Sequence, residues 1–179
     1  MDTSDAWIRE RSGIGARRVG GSTVDMAIEA ATIAIKDADL VPGDIGLLIL
    51  CTTTPEKTFP ASSAKVAAGL GITCGAMDLN VVCAGFPYGY VAAYGMMTTP
   101  GGPDNVLVVG SDAMSTIVDW TDRGTAILFG DGAGAVRKGD NHVLTAFGGG
   151  FTWGALYLKW AYDGSAVART ALAEVEQSI

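Results

Sequence analysis

The residue best placed to do covalent chemistry in this sequence is Cys83, within Asp78-Leu79-Asn80-Val81-Val82-Cys83-Ala84-Gly85-Phe86-Pro87-Tyr88-Gly89. The residues before it read as a strand and those after it as a helix, so the thiol falls in a strand-to-helix turn. Unpaired N–H groups and the positive dipole end at a helix N-terminus favour a thiolate, and a strained turn of this kind exposes a nucleophile. Taken alone, a cysteine is more often a small buried hydrophobe, so its surroundings must decide. Cys51 and Cys74 are the other two thiols. Three cysteines without CxxC spacing and a single histidine, His142, make neither a disulfide framework nor a metal cluster, and the thiols are expected to be reduced.

The elements that must position Cys83 are an alternation of helices and strands. From Ser22 or Thr23 as N-cap, apolar residues recur at Val24, Ala27, Ile28, Ala31 and Ile35, the spacing of an amphipathic helix ending near Leu40. Residues 45–51 form a short continuous apolar run, which suits a strand covered on both faces. Residues 61–70 predict a second helix, 76–82 a second strand, 86–97 a third helix and 105–110 a third strand. Residues 126–130 and 133–136 predict two more short strands. The glycines of Gly130-Asp131-Gly132-Ala133-Gly134 read as a bend between strands, because no βαβ unit opens there. A charged turn at 137–141 leads into a strand at 143–147 and three glycines, and 164–179 is either a terminal helix or a frayed tail. The class is α/β, and in such sheets functional residues gather at the carboxyl ends of the strands.

At 179 residues, 49% hydrophobic and with 25 glycines, the chain has apolar material for one core. A net charge of −7 without a Lys/Arg run gives nucleic acid no electrostatic footprint. Residues 1–11 carry no apolar signal core, and nothing approaches the roughly 18 uninterrupted apolar residues of a membrane span. A soluble, cytoplasmic protein is expected, with no membrane partner.

Several separate stretches carry a family resemblance. They are Thr3-Ser4-Asp5-Ala6-Trp7-Ile8 with Arg11-Ser12-Gly13-Ile14, Thr52-Thr53-Thr54-Pro55 with Phe59-Pro60-Ala61-Ser62, and Cys83-Ala84-Gly85-Phe86. Asp119-Trp120-Thr121-Asp122-Arg123-Gly124-Thr125, Phe129-Gly130-Asp131-Gly132-Ala133-Gly134-Ala135 and Phe147-Gly148-Gly149-Gly150-Phe151-Thr152-Trp153-Gly154 continue the series. In order, and over most of residues 2–160, they resemble β-ketoacyl-acyl-carrier-protein synthase III, a thiolase-like condensing enzyme. The resemblance implies a thiolase-like fold, here the first βαβαβ half plus the terminal strands of the second. It implies that Cys83 takes an acyl group from acyl-CoA, usually acetyl-CoA, and that condensation with malonyl-acyl carrier protein follows with loss of carbon dioxide. Backbone N–H groups of Cys83 and Gly149 would hold the oxyanion. Trp7 and Arg123 match the pair that sandwiches the CoA adenine, and Thr3 and Arg11 match further CoA contacts. Phe59 matches a residue that reaches across a homodimer into the neighbour's acyl pocket; as a residue following a turn, it also reads as a core aromatic. CoA enters as a substrate thioester, and no further cofactor is implied.

The sequence departs from that pattern where the family places a catalytic His and Asn. His142 matches neither position, and Asn80, Asn105 and Asn141 lie in no stretch resembling the Asn motif. An internal loss near 136–137 and a shortened start are therefore expected, leaving residues 1–160 as an incomplete thiolase-like domain and 161–179 as a helix or tail. Two functions follow. One is the acyltransferase that initiates fatty-acid synthesis; the other is a non-condensing remnant that at most binds CoA or is acylated on Cys83. A hydroxymethylglutaryl-CoA or polyketide-type synthase is a third, disfavoured by residues 119–125 and 148–154.

Overall fold

The Ser22 hydroxyl accepts a hydrogen bond from the Asp25 N–H at 3.1 Å and so starts helix α2, Thr23–Asp37. Its inner face carries Val24, Ala27, Ala31 and Ile35, all buried, as the spacing requires. It ends three residues before Leu40, because Asp39 turns into the left-handed region (φ 55°) and the Leu40 N–H bonds back to the Ile35 carbonyl. In this computed structural model, residues 1–134, 141–148 and 152–159 are described. A shorter helix, α1, Asp5–Ser12, precedes α2; Ser4 caps it through the Trp7 N–H, and Gly13 closes it at φ 71°. Helix α1 buries no residue, so it leaves no apolar stripe in the sequence by which it could have been expected.

Strand β1, Leu47–Cys51, is the centre of the molecule, with Leu48, Ile49 and Leu50 fully buried. It pairs in parallel with β2, Gly75–Leu79, on one side and with β3, Val106–Ala113, on the other. Helix α3, Ser62–Leu70, crosses from β1 to β2, and helix α4, Gly85–Met97, crosses from β2 to β3. Helix α3 has no side-chain cap of its own; Asp78 on β2 supplies one, accepting from the Ser62 and Ser63 N–H groups at 2.9 and 2.7 Å. The fourth strand, β4, Asp131–Gly134, runs antiparallel to the end of β3, giving the order β2-β1-β3-β4. Strands β5, Asn141–Gly148, and β6, Thr152–Lys159, form a separate antiparallel pair that lies beside the turn before α4.

Several strand assignments depart from expectation. Strand β2 stops at Leu79 instead of residue 82, since Leu79 pairs with Cys51, the last residue of β1, and among the described residues no strand lies further along to pair with. Strand β3 runs three residues beyond 110 because β4 continues its ladder as far as Ala113. Residues 126–130 are not a strand. Asp122 caps a helical turn, α5, Arg123–Ala126, by accepting from the Gly124 N–H and the Thr125 hydroxyl at 2.8 and 2.7 Å, and the apolar pair Ala126 and Ile127 is buried from that turn. The strand expected at 133–136 begins earlier, at Asp131; residues 135–136, the 136–137 junction and residues 161–179 lie outside the described residues.

Both faces of the sheet are covered, as a parallel apolar sheet requires. On one face α2 and α3 pack Val24, Ala27, Ala31, Val66 and Ala67 against Leu48, Leu50, Leu107 and Val109. On the other, α4 covers a smaller cluster centred on Ile49, Cys51 and Ala93.

Candidate active site

Cys83 is exposed, and the reading of it as a buried hydrophobe falls. It sits in a 3-10 turn, Val82–Ala84, that runs directly into α4. Val82, immediately before it, holds φ at 51°, a left-handed conformation that is costly for a β-branched residue. The backbone thus bends at Val82 and presents the thiol at the start of the helix.

The thiol borders a cavity of about 360 Å³ at the carboxyl ends of β1 and β3, where the topology of an α/β sheet places ligands. Cys51, Val82, Phe86, Asp112 and Gly132 also line it. The first turn of α4 lies directly on β1. A Cβ on residue 85 would come within 3.2 Å of Cys51 Cβ, and one on residue 89 within 2.5 Å of Cys51 Sγ, so glycine at these positions lets the helix approach. Burial pushes the Cys51 thiol up, and the Asp112 carboxylate adds to this; the Gly89 N–H pulls the other way, and the outcome is about 12. The two thiols of one cavity therefore have opposite environments, Cys51 buried and Cys83 open.

Asp112 ties the two strand ends together. Its Oδ1 accepts from the Thr53 N–H at 2.7 Å, the Thr53 hydroxyl at 2.9 Å, the Thr52 hydroxyl at 3.1 Å, and the N–H and hydroxyl of Thr54 at 3.2 Å each. The Thr54 hydroxyl is also the acceptor for the Ala113 N–H at 2.8 Å. Asp131, at the start of β4, does the same for another loop. Both its oxygens are engaged, by the N–H and hydroxyl of Ser115 and the N–H groups of Gly20 and Gly21. Its burial works to raise the carboxyl, but these donors outweigh it and hold the group below the usual carboxylate range.

A second cluster forms around Trp7. The guanidinium carbons of Arg11 and Arg123 stand 4.3 and 4.6 Å from its ring centroid, within cation–π range. Arg123 also donates to the Asp2 carbonyl at 3.1 Å, and the Thr3 hydroxyl oxygen is buried without a hydrogen-bond partner among the described residues. All four residues singled out for CoA contact thus fall in one neighbourhood, although 112 residues separate Arg11 from Arg123 in sequence. Phe59 is 88% exposed, which rules out its reading as a core aromatic. Gly149 lies outside the described residues. The sequence did not point to Asp112 or Cys51; each ends or nearly ends a buried strand, which was the available signal. Among the described residues, no group of three His, Cys, Asp or Glu side chains could hold a metal ion, and no helix is long and apolar enough to cross a membrane.

The family model for 3-oxoacyl-[acyl-carrier-protein] synthase III matches residues 77–146, the segment containing the Cys83 turn, α4, β3 and β4. A β-ketoacyl-[acyl-carrier-protein] synthase III of Bacillus anthracis is 50% identical over 143 residues, covering 78% of this chain and 46% of the relative. One from Listeria monocytogenes is 49% identical over 154 residues, covering 82% and 49%. The chain belongs to the synthase III family. It spans about half the length of the curated synthase III relatives it matches. The fold agrees: the crystal structure of the 3-oxoacyl-[acyl-carrier-protein] synthase III of Aquifex aeolicus superposes with a TM-score of 0.71 at 38% identity, over 80% of this chain and 49% of that one. That of Pseudomonas aeruginosa gives 0.70 at 39%, over 78% and 44%. The described part of the chain is thiolase-like, a mixed α/β unit built on one four-stranded sheet.

Proposed function

We propose that this chain is an acyltransferase of the synthase III type, which loads an acyl group from an acyl-CoA, such as acetyl-CoA, onto Cys83 and condenses it with malonyl-acyl carrier protein to initiate fatty-acid synthesis. The observation that carries this is the exposed thiol at the bent strand-to-helix turn, facing a cavity at the carboxyl ends of β1 and β3. In the loading step the Cys83 sulfur attacks the thioester carbonyl and CoA leaves as its thiol, so a thioester is exchanged for a thioester. In the second step the malonyl group loses carbon dioxide and its α-carbon displaces Cys83 from the acyl carbon. Splitting the reaction this way keeps the acyl carbon electrophilic in between. The N–H groups of Cys83 and Gly149 are the proposed oxyanion donors, worth several kcal/mol if aimed in a water-poor site.

Trp7, Arg11, Arg123 and Thr3 are the proposed CoA contacts. Their support is that a planar indole and two guanidinium groups are gathered in one place, a set suited to a phosphorylated purine, with the buried Thr3 hydroxyl nearby in sequence. The highly exposed Phe59 fits a side chain that meets a second subunit of a homodimer, and a cytoplasmic location fits the substrates. A second reading, loading without condensation, is favoured by the histidine content: the only one is His142, on β5, and it matches no catalytic position. Incubation with acetyl-CoA and peptide mass analysis tests the first step, with a gain of one acetyl group on Cys83 expected. Adding malonyl-acyl carrier protein then separates the two readings: acetoacetyl carrier protein supports condensation, a stable acetyl-enzyme supports loading alone, and an unmodified Cys83 overturns both.

A further inference from the structure

Asp112 is the only charged side chain among the described residues lining the Cys83 cavity. All five hydrogen bonds it accepts go to Oδ1, and Oδ2 receives none from the described residues. The neutral donors from Thr52, Thr53 and Thr54 fix the carboxylate in place without cancelling its net charge. That charge is felt inside the cavity, since it is the second cause, after burial, of the raised Cys51 thiol. A sphere of this volume is about 9 Å across, within the ~10 Å screening length at 0.1 M salt, so an electrophile at Cys83 stands within the field of Asp112.

We propose that Asp112 is the charge-selecting residue of this site: it disfavours anionic electrophiles at the Cys83 thiol and so restricts loading to uncharged acyl thioesters. This rests on the loading reaction proposed above and adds its substrate class. The two thioesters of that reaction differ in charge at the acyl group, the primer being neutral and the malonyl group a carboxylate. Both present a thioester carbonyl to the same sulfur. A fixed negative charge in the cavity gives the neutral one precedence at the free thiol, and the bond exchanged is the same for either, acyl–sulfur for acyl–sulfur. The Cys83 turn needs no discriminating pocket wall for this, only the carboxylate that lines the same cavity.

The test uses two alkylating probes of nearly equal size, iodoacetamide (neutral) and iodoacetate (anionic), with labelling read at Cys83 by peptide mass and each rate divided by that of free cysteine. In the full wild-type chain the neutral probe is expected to be favoured at least about threefold at 0.1 M salt. Asp112→Asn keeps an acceptor oxygen for the threonines and is expected to bring the ratio close to that of free cysteine. Asp37→Asn, an exposed change of equal charge on α2, is expected to leave it unchanged, which separates Asp112 from the chain's overall charge of −7. If Asp112→Asn does not fold, raising salt to 1 M on the wild type supplies the same contrast, because the screening length falls to about 3 Å; the preference is then expected to shrink. A wild-type ratio equal to that of free cysteine, or one that neither Asp112→Asn nor salt changes, overturns the proposal. The same samples are then offered acetyl and succinyl thioesters of N-acetylcysteamine. Acetylation without succinylation in wild type, with succinylation appearing in Asp112→Asn, completes the support. Equal acylation by both in wild type overturns the substrate restriction, whereas acylation by neither, with the alkylation preference intact, overturns the loading reaction and leaves the charge selection standing.

Discussion

The two faces of the central sheet are covered in different ways. Against one, α2 and α3 close over Leu48, Leu50, Val66 and Val109, side chains with essentially no solvent exposure. Against the other, α4 brings Ala93 onto Ile49 and Cys51 in a smaller cluster, while its own Tyr88, Val91, Tyr94 and Met97 remain substantially exposed. Cys83, the cavity and the inner end of Asp112 all belong to the thinly covered side or its rim. Stability and chemistry are thus divided between the faces. A site that must admit a substrate cannot also be a closed core, and here the tightly packed face holds the strands whose ends shape the open one.

Removing the thiol should give the largest effect. Cys83→Ala is expected to abolish acyl transfer to the chain from acetyl-CoA, read by mass, while altering stability by no more than about 0.5 kcal/mol because the side chain is exposed. A large loss of stability would mean that the turn belongs to the core after all. The packed face should respond in the reverse manner. Leu50→Ala is expected to cost about 2–5 kcal/mol in denaturant unfolding, against about 0.5 kcal/mol or less for Val91→Ala on the exposed side of α4. Comparable costs would erase the distinction between the faces.

Where α4 meets β1, the tightest approach is that of Gly89 to the Cys51 thiol. Gly89→Ala is expected to destabilise by about 1–3 kcal/mol through overpacking against Cys51 Sγ. Combining it with Cys51→Ala should restore most of that loss, a positive coupling that a double-mutant cycle measures. A modest effect is expected in alkali. The folded-state Cys51 thiol is raised, so the stability it confers is complete below the ordinary value of 9.0 and is lost as pH rises toward about 12. At pH 10 this amounts to about 1 kcal/mol, read as a lower unfolding midpoint in the wild type than its neutral-pH behaviour predicts. The alanine variant at position 51 should lack that component.

Much of the closed face was legible because burial leaves a period in the sequence. Val24, Ala27, Ala31 and Ile35 recur at helical spacing, and residues 45–51 form an unbroken apolar run, so α2 and β1 could be placed with only their ends adjusted. The ends moved for reasons that periodicity does not carry: the left-handed Asp39, and strand partners that stop at Leu79 or continue to Ala113. Helix α1 buries nothing and α5 depends on the Asp122 cap, so the first was not anticipated as a helix and the second was mistaken for a strand. For the site, the cysteine and the residues around Trp7 were visible through a resemblance distributed along the chain. Asp112 and Cys51 were not, because neither belongs to a local pattern.

By itself, then, the sequence determined the α/β class, the family, and Cys83 as the thiol at a strand-to-helix turn, since each rests on short-range order that a reader can follow residue by residue. Only the tertiary structure decided that the thiol is open while Cys51, at the same cavity, is closed. It alone brought Arg123 to Trp7, exposed Phe59, and joined Asp112 to the threonines of residues 52–54. The reason is physical: these contacts bridge about 60 to 115 residues, and side chains that far apart meet only after β1 and β3 have paired and the helices have packed across them.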